Sequence, residues 1–322
     1  MLGRCLETLL RQSHPADERI VVDNGSSDGS IEPLLTTDAK LRVLRNPSNL
    51  GFAVAANQGI AAAEGDWVLL LNQDVELGAD YLERLLASGL GDDRIGAVTG
   101  KLMRRNAQGD PEIDSTGHIL YRNGWASNRG EGLPDGDSWA TAGKVSGVSA
   151  AAALYRMSML RAVSHGSARP FDERYFAYIE DVDLDWRAAQ LGWTAWYEPA
   201  IAWHQRGASM ARRQPATLRR ILRNRLLTVA NNDLWPDGLL HLPGVLALTA
   251  MSAIQFGVES PSAALGVIDA LGEFAESRRR RAFLRTCRTT MGDRAVTPPL
   301  EAFPYRRVLL GRLRGQRRAA RS

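Results

Sequence analysis

Cysteine is nearly absent from this 322-residue chain: Cys5 and Cys287 are the only two, far apart and in no metal-ligand spacing. That argues against a disulfide scaffold or a zinc finger and fits a reducing, cytosolic setting. A strand-linked Gly-x-Gly-x-x-Gly is also missing, which disfavours a dinucleotide dehydrogenase. The longest apolar stretch, Leu239–Phe256, is interrupted by His241, Pro243, Ser252 and Gln255. An amphipathic or buried helical hairpin is therefore expected there in place of a spanning helix. No signal peptide is expected ahead of the first helix. Aromatic residues do not interleave with the basic clusters as base stacking requires, so nucleic acid is a poor partner.

The hydrophobic content, 44%, supports one large α/β domain and a smaller appendage, expected over residues 1–235 and 236–322. The formal charge of +4 is uneven, with Arg278, Arg279, Arg280 and Arg281 in a row followed by Arg306, Arg307, Arg312, Arg314, Arg317 and Arg318. Such a basic end is either simply solvated or drawn to an anionic membrane face.

Apolar spacing predicts a helix over Gly3–Arg11, then strands at Arg19–Asp23 and Leu41–Leu44 and a small-residue helix at Ala53–Ala63. Trp67–Leu71 is continuously apolar, as in a parallel-sheet strand covered on both faces. An open α/β domain ordinarily starts with a strand before its first helix. The sheet is thus expected to lack its first strand or to obtain a central strand elsewhere, leaving hydrogen-bonding groups and apolar surface uncovered. Asn106–Lys144 is polar and Gly-rich, suited to loops or short edge strands. Gly147–Tyr155 and the short helix expected at Met157–Val163 form either the floor of an acceptor pocket or a packed, Ala-rich core.

The chemistry-bearing residues fall at predicted strand tips and helix starts. Asp23 ends the Ile-Val-Val run and opens a turn-rich loop, where a carboxylate meets a nucleotide's base or ribose or closes an Asx turn. Asn72, Gln73 and Asp74 follow the second apolar strand. Asn72 suits a phosphate or a metal-bound water, and Asp74 suits direct binding of Mg²⁺ or Mn²⁺, with a helix cap as the plainer role. Glu180, Asp181, Asp183 and Asp185 begin a helix in which Asp181 and Asp185 share a face. Crowded carboxylates favour proton uptake by at least one of them, as a general base needs, although acidic residues also suit a helix start without catalysis. Asp181 is the expected base, with Glu180 or Asp183 organising the helix terminus or acceptor. His204 is a candidate second metal ligand beside Asp74, and Arg223 and Arg225 are candidate phosphate contacts on a C-terminal loop.

The segments VVDNGSSDGS, NPSNLGFAVAANQGI, LLLNQDV, FDERYFAYIEDVDLDWRAAQLGW and AWHQRG together resemble the bacterial family 2 glycosyltransferases, in particular their rhamnosyltransferase-like branch. The resemblance covers about Leu2 to Asp233. It implies a GT-A-type, mostly parallel α/β sheet with flanking helices and inverting transfer from a nucleotide-diphosphate sugar. It also assigns Asp23 to nucleotide binding, Asn72, Gln73 and Asp74 to the family's variant of the Asp-x-Asp metal motif, Asp181 to the base and His204 to the metal. The family usually starts with a strand carrying a Pro-x-Tyr-Asn-like nucleotide contact, a segment this sequence does not contain.

The function these readings imply is single-displacement transfer of a sugar to a hydroxyl acceptor, a lipid-linked oligosaccharide or cell-wall glycan, at the inner face of the plasma membrane. A nucleotide-sugar-binding or scaffold protein with impaired turnover is the alternative. A paired-carboxylate glycoside hydrolase fits less well, because Asp74 is placed for a metal and a diphosphate and not as a leaving-group acid.

Overall fold

The computed structural model describes residues 1–37, 40–164, 169–206, 214–233, 237–291 and 300–304. The chain opens with α1 (Leu2–Leu10), β1 (Arg19–Asp23), α2 (Glu32–Thr37), β2 (Leu41–Arg45), α3 (Phe52–Ala62) and β3 (Trp67–Leu71). Next come β4 (Val75–Leu77), α4 (Tyr81–Leu90), β5 (Ile95–Arg105), β6 (Pro111–Ser115), β7 (His118–Tyr121), β8 (Ala126–Asn128) and β9 (Gly143–Val145). They are followed by β10 (Ala152–Arg156), α5 (Met157–Val163), α6 (Glu180–Gln190), β11 (Thr194–His204) and α7 (Pro215–Asn232). The described part ends with α8 (Asp237–Glu259), α9 (Gly266–Gly272), α10 (Phe274–Met291) and β12 (Leu300–Glu301). The elements expected from the sequence over residues 3–71 and 157–163 are present, with ends shifted by a residue or so.

The main sheet has seven strands in the path β3-β10-β5-β11-β4, with β6 on β5 and β9 on β11. It is mixed: β5 and β11 run parallel, while β10 lies antiparallel to both β3 and β5. Ala150 to Ala153 are all buried, so this small-residue stretch packs into the core. Tyr81 from α4 donates its hydroxyl to the Ala152 carbonyl at 2.7 Å and accepts the Gly100 N–H at 3.1 Å, clamping α4 on the sheet.

β1 and β2 form a separate, parallel two-stranded sheet. Among the described residues no strand lies between β1 and β3. A cleft of about 620 Å³ separates them, lined by every residue of both strands. The wholly apolar β3 is consequently only half-buried along its length, although helices flank it. The unfilled place expected from the sequence is thus a cavity with an open strand edge on either side.

The C-terminal helices pack on α7 through Arg219, whose guanidinium meets Asp269 at 2.6 and 2.7 Å, and through Arg223 and Glu273 at 3.2 Å. Leu284 of α10 enters the main core. The hairpin expected near Leu239–Phe256 is instead one helix, α8, with Pro243 inside it. Its Gly238–Val258 stretch is long and apolar enough to cross a membrane and mostly exposed, including Leu239, Leu240, Leu246 and Ile254. The basic run lies on α10, where Arg280 pairs with Asp172 at 3.3 Å and Arg281 covers the Phe274 ring. The arginines from Arg306 onward lie outside the described residues.

Candidate active site

Asp74 stands in the short connection between β3 and β4, and His204 ends β11. The antiparallel pairing of β4 with β11 sets His204 opposite Val75, and Gln205 donates its N–H to the Asp74 carbonyl at 2.8 Å. The His204 Nε2 therefore lies 3.4 Å from Asp74 Oδ1. On the other side, Nδ1 is 2.8 Å from Oδ2 of Asp114 on β6. Asp114 is also gripped by Arg206 at 2.5 Å and Arg104 at 3.2 Å. Burial would raise the Asp114 pKa, but the His204 hydrogen bond and the arginine charge outweigh it and hold it below the usual carboxylate range. Burial likewise disfavours a charged His204, yet Asp114 and Asp74 together lift its pKa to about 9.

The second cluster starts with a strained turn. Phe176, Tyr178 and Ile179 have φ values of 62°, 72° and 72°. Such conformations in bulky residues persist only where the surroundings impose them. Here Asn224 of α7 donates to the carbonyls of Tyr175, Ala177 and Tyr178 at 2.9, 3.1 and 2.8 Å. Gly51 completes the fit, since a Cβ there would lie 2.6 Å from the Phe176 carbonyl oxygen.

This turn launches α6 with its acids pointing inward. Asp181 Oδ2 accepts the Ala150 N–H at 3.3 Å and lies 3.8 Å from His118 Nε2. The Nδ1 of His118 is 2.8 Å from Asp185 Oδ2, which also accepts the Val148 N–H at 3.1 Å. Gly147 makes that approach feasible, because a Cβ would fall 2.0 Å from the same oxygen. Asp181 and Asp185 therefore share a face, as their spacing predicts, and meet on one imidazole.

Desolvation works against charge on His118, but Asp181 and Asp185 raise its pKa to about 9. Glu180 is buried with one carboxyl oxygen unpartnered, and desolvation together with Asp181 pushes its pKa up to about 8. Burial brings Asp185 to about 6 against the pull of His118. Proton uptake expected for the crowded acids thus falls on Glu180 and Asp185. Asp183 is elsewhere: fully buried, it pairs with Arg187 at 2.8 Å and accepts from Asn232 at 2.7 Å.

The backbone joins the two clusters. Ala150 donates to Asp181 while its neighbour Ala151 accepts the Asn72 N–H at 2.8 Å. Since consecutive Cα atoms are about 3.8 Å apart, Asn72 and Asp181 are held to adjacent links of one chain. The Asp114–His118 segment adds a second tie, supplying Asp114 to His204 and His118 to Asp185. Sequence reasoning missed Asp114, His118 and Arg206. Asp114 and His118 sit in the polar, Gly-rich stretch expected to form loops or short edge strands, and lie on the short strands β6 and β7; the available signal was an acid and a histidine four residues apart.

Asp23 closes an Asx turn by accepting the Ser26 N–H at 2.9 Å, which lowers its pKa, and it lines the β1–β3 cleft with Asn24, Asn72 and Gln73. Arg223 and Arg225 are not on a loop. Both belong to α7, where Arg223 donates to the Arg174 carbonyl at 2.8 Å and Arg225, 1% exposed, donates to Thr249 of α8 at 2.9 Å. Their contacts hold helices together, and the structure does not gather them with Asp74.

A mixed α/β sheet with an acidic connection at a strand tip, joined to an acid-rich helix start, defines a GT-A-like fold. The chain belongs to glycosyl transferase family 2, whose sequence profile matches residues 1–163. It is 31% identical over 245 residues to an N-acetylglucosaminyl-diphospho-decaprenol L-rhamnosyltransferase of Mycobacterium tuberculosis, covering 67% of this chain and 76% of that protein. Among solved structures it resembles GalNAc-T7 with UDP, GalNAc and Mn2+ at a TM-score of 0.58 and 14% identity, covering 93% of this chain and 56% of that one. It also resembles a TarS fragment of S. aureus at a TM-score of 0.53 and 18% identity, covering 91% and 85%. These last two likenesses concern the fold alone.

Proposed function

We propose that this family 2 glycosyltransferase moves a sugar from a nucleotide diphosphate to a hydroxyl acceptor in one displacement, with inversion at the anomeric carbon. The observation that carries the reading is the anchoring of Asn72 and Asp181 to consecutive residues Ala151 and Ala150, with Asp74 two residues beyond Asn72. That arrangement sets an acidic, diphosphate-facing connection beside a carboxylate able to accept a proton.

The Asp74–His204 pair fits a Mg²⁺ or Mn²⁺ ion. Its donors would be one carboxylate oxygen and one ring nitrogen, and Asp114 can accept the Nδ1–H hydrogen bond, which holds the neutral ring in the tautomer that leaves Nε2 free to coordinate. Two protein ligands leave the remaining positions to diphosphate oxygens and water. When bound, such an ion offsets the charge on the departing nucleotide diphosphate.

Asp181 takes the proton from the attacking hydroxyl, and His118 keeps its carboxylate oriented. Glu180 contributes an acid that holds its proton near neutral pH and limits the local charge. Asn72 orients phosphate, and Asp23 meets the nucleoside from the edge of the cleft.

The mycobacterial relative's name pairs rhamnosyl transfer with a decaprenol-linked diphosphate, and we carry over to this chain a polyprenyl-diphosphate-linked glycan acceptor and a role in cell-wall or polysaccharide assembly. The exposed leucines of α8 support peripheral seating on the cytoplasmic face of the plasma membrane, with the basic C-terminal region near anionic lipid. Residues 1–235 would carry catalysis and 236–322 this attachment. Salt-resistant, detergent-only extraction would oppose a peripheral location.

The open cleft beside Asp23 favours a second reading, in which donor is bound with impaired turnover. Incubation with deoxythymidine-diphosphate rhamnose, UDP-galactofuranose and related donors, each with a lipid-linked acceptor, separates the two. Product of inverted anomeric configuration is expected. Saturable donor binding with no transfer to any acceptor selects the binder.

A further inference from the structure

The turn that launches α6 is built against its own backbone preferences. Phe176, with φ 62° and ψ −64°, is the centre of the rare, strained form of the γ-turn, closed by the Ala177 N–H donating to the Tyr175 carbonyl at 2.7 Å. Tyr178 and Ile179 both have φ 72°, and for a β-branched residue such as Ile179 that is an outlier. These three residues lie within four positions directly ahead of Glu180 and Asp181. Left to local preference, the chain would abandon all three conformations.

The carbonyls of the turn show what prevents this. That of Ile179 starts α6 by accepting the Asp183 N–H at 3.0 Å, and that of Phe176 accepts the Ala53 N–H at 3.1 Å. The carbonyls of Tyr175, Ala177 and Tyr178 all meet one group, Nδ2 of Asn224, at 2.9, 3.1 and 2.8 Å. An amide has two N–H bonds, so one of them is shared between two carbonyls. The amide is fully buried and cannot turn over, because Oδ1 would then face three carbonyl oxygens. Its neighbour Arg223 donates to the Arg174 carbonyl at 2.8 Å and extends the grip by one residue.

We propose that Asn224 is a positioning residue for the base: by holding the carbonyls of the turn it sets the entry of α6 and keeps Asp181 on the Ala150 N–H and beside His118. Asp181 stands two residues after Ile179. If Ile179 relaxed to a negative φ, the first turn of α6 would swing and carry Asp181 Oδ2 off a bond that is already 3.3 Å long. Asn224 is buried beneath the turn, so it acts on the reaction through Asp181 and not by touching substrate. The catalytic consequence rests on the role proposed above for Asp181. The conformational one does not.

Asn224→Ala removes the amide and leaves a good helix former in α7. In the full chain, exchange of the Ala150 amide hydrogen should quicken about 10-fold or more while amides of β5 and β10 keep the parent rate, the mark of a local release and not of unfolding. Transfer to a lipid-linked acceptor should lose roughly 10- to 100-fold in kcat, with donor Kd at the parent value. Adding Tyr178→Gly supplies a residue for which positive φ carries no strain, and it should slow Ala150 exchange again in the Asn224→Ala background. Packing lost around Asn224 would not respond to a glycine in the turn. Should Asn224→Ala fail to fold, Asn224→Ser, with one hydroxyl donor, takes its place under the same expectations at smaller amplitude. Ala150 exchange at the parent rate overturns the inference, as does exchange that Tyr178→Gly leaves fast or a loss of donor affinity equal to the loss in kcat. Faster exchange with transfer at the parent rate overturns it when Asp181→Asn is itself impaired. When Asp181→Asn also transfers normally, the base assignment is what has failed, and the exchange results uphold Asn224 as the anchor of the turn.

Discussion

Two imidazoles in this molecule each stand between two carboxylates, yet their surroundings differ in sign. His204 bridges Asp114 and Asp74, and Arg206 and Arg104 already neutralise Asp114. His118 bridges Asp185 and Asp181 with Glu180 as a further acid nearby, and it is the cation compensating that group. The difference bears on the roles proposed for them. In the first cluster, as proposed, Nε2 would release its proton to solvent and hold a metal in its place, with Asp114 still compensated by the two arginines. In the second, loss of the imidazolium leaves buried acids facing one another, so the proton stays and the carboxylates are held in place.

The largest effect expected from breaking this comparison is at Asp181. Asp181→Asn should lower transfer roughly 10²-fold or more while leaving the fold and most donor binding intact, because the amide keeps the size but cannot take a proton. Single-turnover rates beside calorimetric donor titration check it. Transfer at the parent rate would move the base to Glu180, since Asp183 is locked to Arg187.

The matching change in the other cluster, Asp74→Asn, should cost roughly 10- to 100-fold in Mn²⁺-coupled donor binding. His204→Ala should act in the same direction. Donor titrations with and without Mn²⁺ decide the matter, and unchanged coupling in Asp74→Asn would remove it from the metal.

A smaller effect is expected at Gly147, where an added Cβ falls 2.0 Å from the Asp185 carboxylate. Gly147→Ala should destabilise the protein by about 1–3 kcal/mol by displacing Asp185 from His118. Chemical denaturation measures this, and a parent-like midpoint would mean the cluster tolerates the shift.

The smallest is a pH dependence. The folded-state pKa of His118 is raised from 6.5 to about 9, so its stabilising contribution is complete below pH 6.5 and is lost as pH rises through 9. Glu180, raised from 4.5 to about 8, slopes the same way, since the folded state again binds more protons than the unfolded one. The groups facing this imidazole are Glu180, Asp181 and Asp185. Tm should fall by a few degrees between pH 6.5 and 9, and His118→Gln should flatten the upper part of that slope. An identical slope in the variant would remove His118 as its source.

Much of the fold was legible because short-range rules govern it. The continuous apolar run at Trp67–Leu71 announced a strand, and the shared face of Asp181 and Asp185 followed from helical periodicity. Arg223 and Arg225 were misplaced for a similar reason. An arginine reads as a phosphate ligand or a helix-packing residue with equal ease until its neighbours are known, and here the neighbours are Arg174 with Glu273 for one and α8 for the other. The Leu239–Phe256 stretch was read as a hairpin because Pro243 and polar residues interrupt it, whereas Pro243 is accommodated in a single helix.

What the sequence by itself determined is the family and most of the order of strands and helices through residue 71, though not the helix Glu32–Thr37, because these depend on residue type and local spacing; it also marked the acids proposed to carry the chemistry. Only the tertiary structure decided which groups those acids meet. Asp114 and His118 lie 90 and 67 residues from His204 and Asp185, their respective partners, and no local pattern encodes such a pairing. The sheet register brings them together and burial gives their charges weight. The size and apolar lining of the cleft between β1 and β3 likewise arise from the packing of α1 and α3 around those strands.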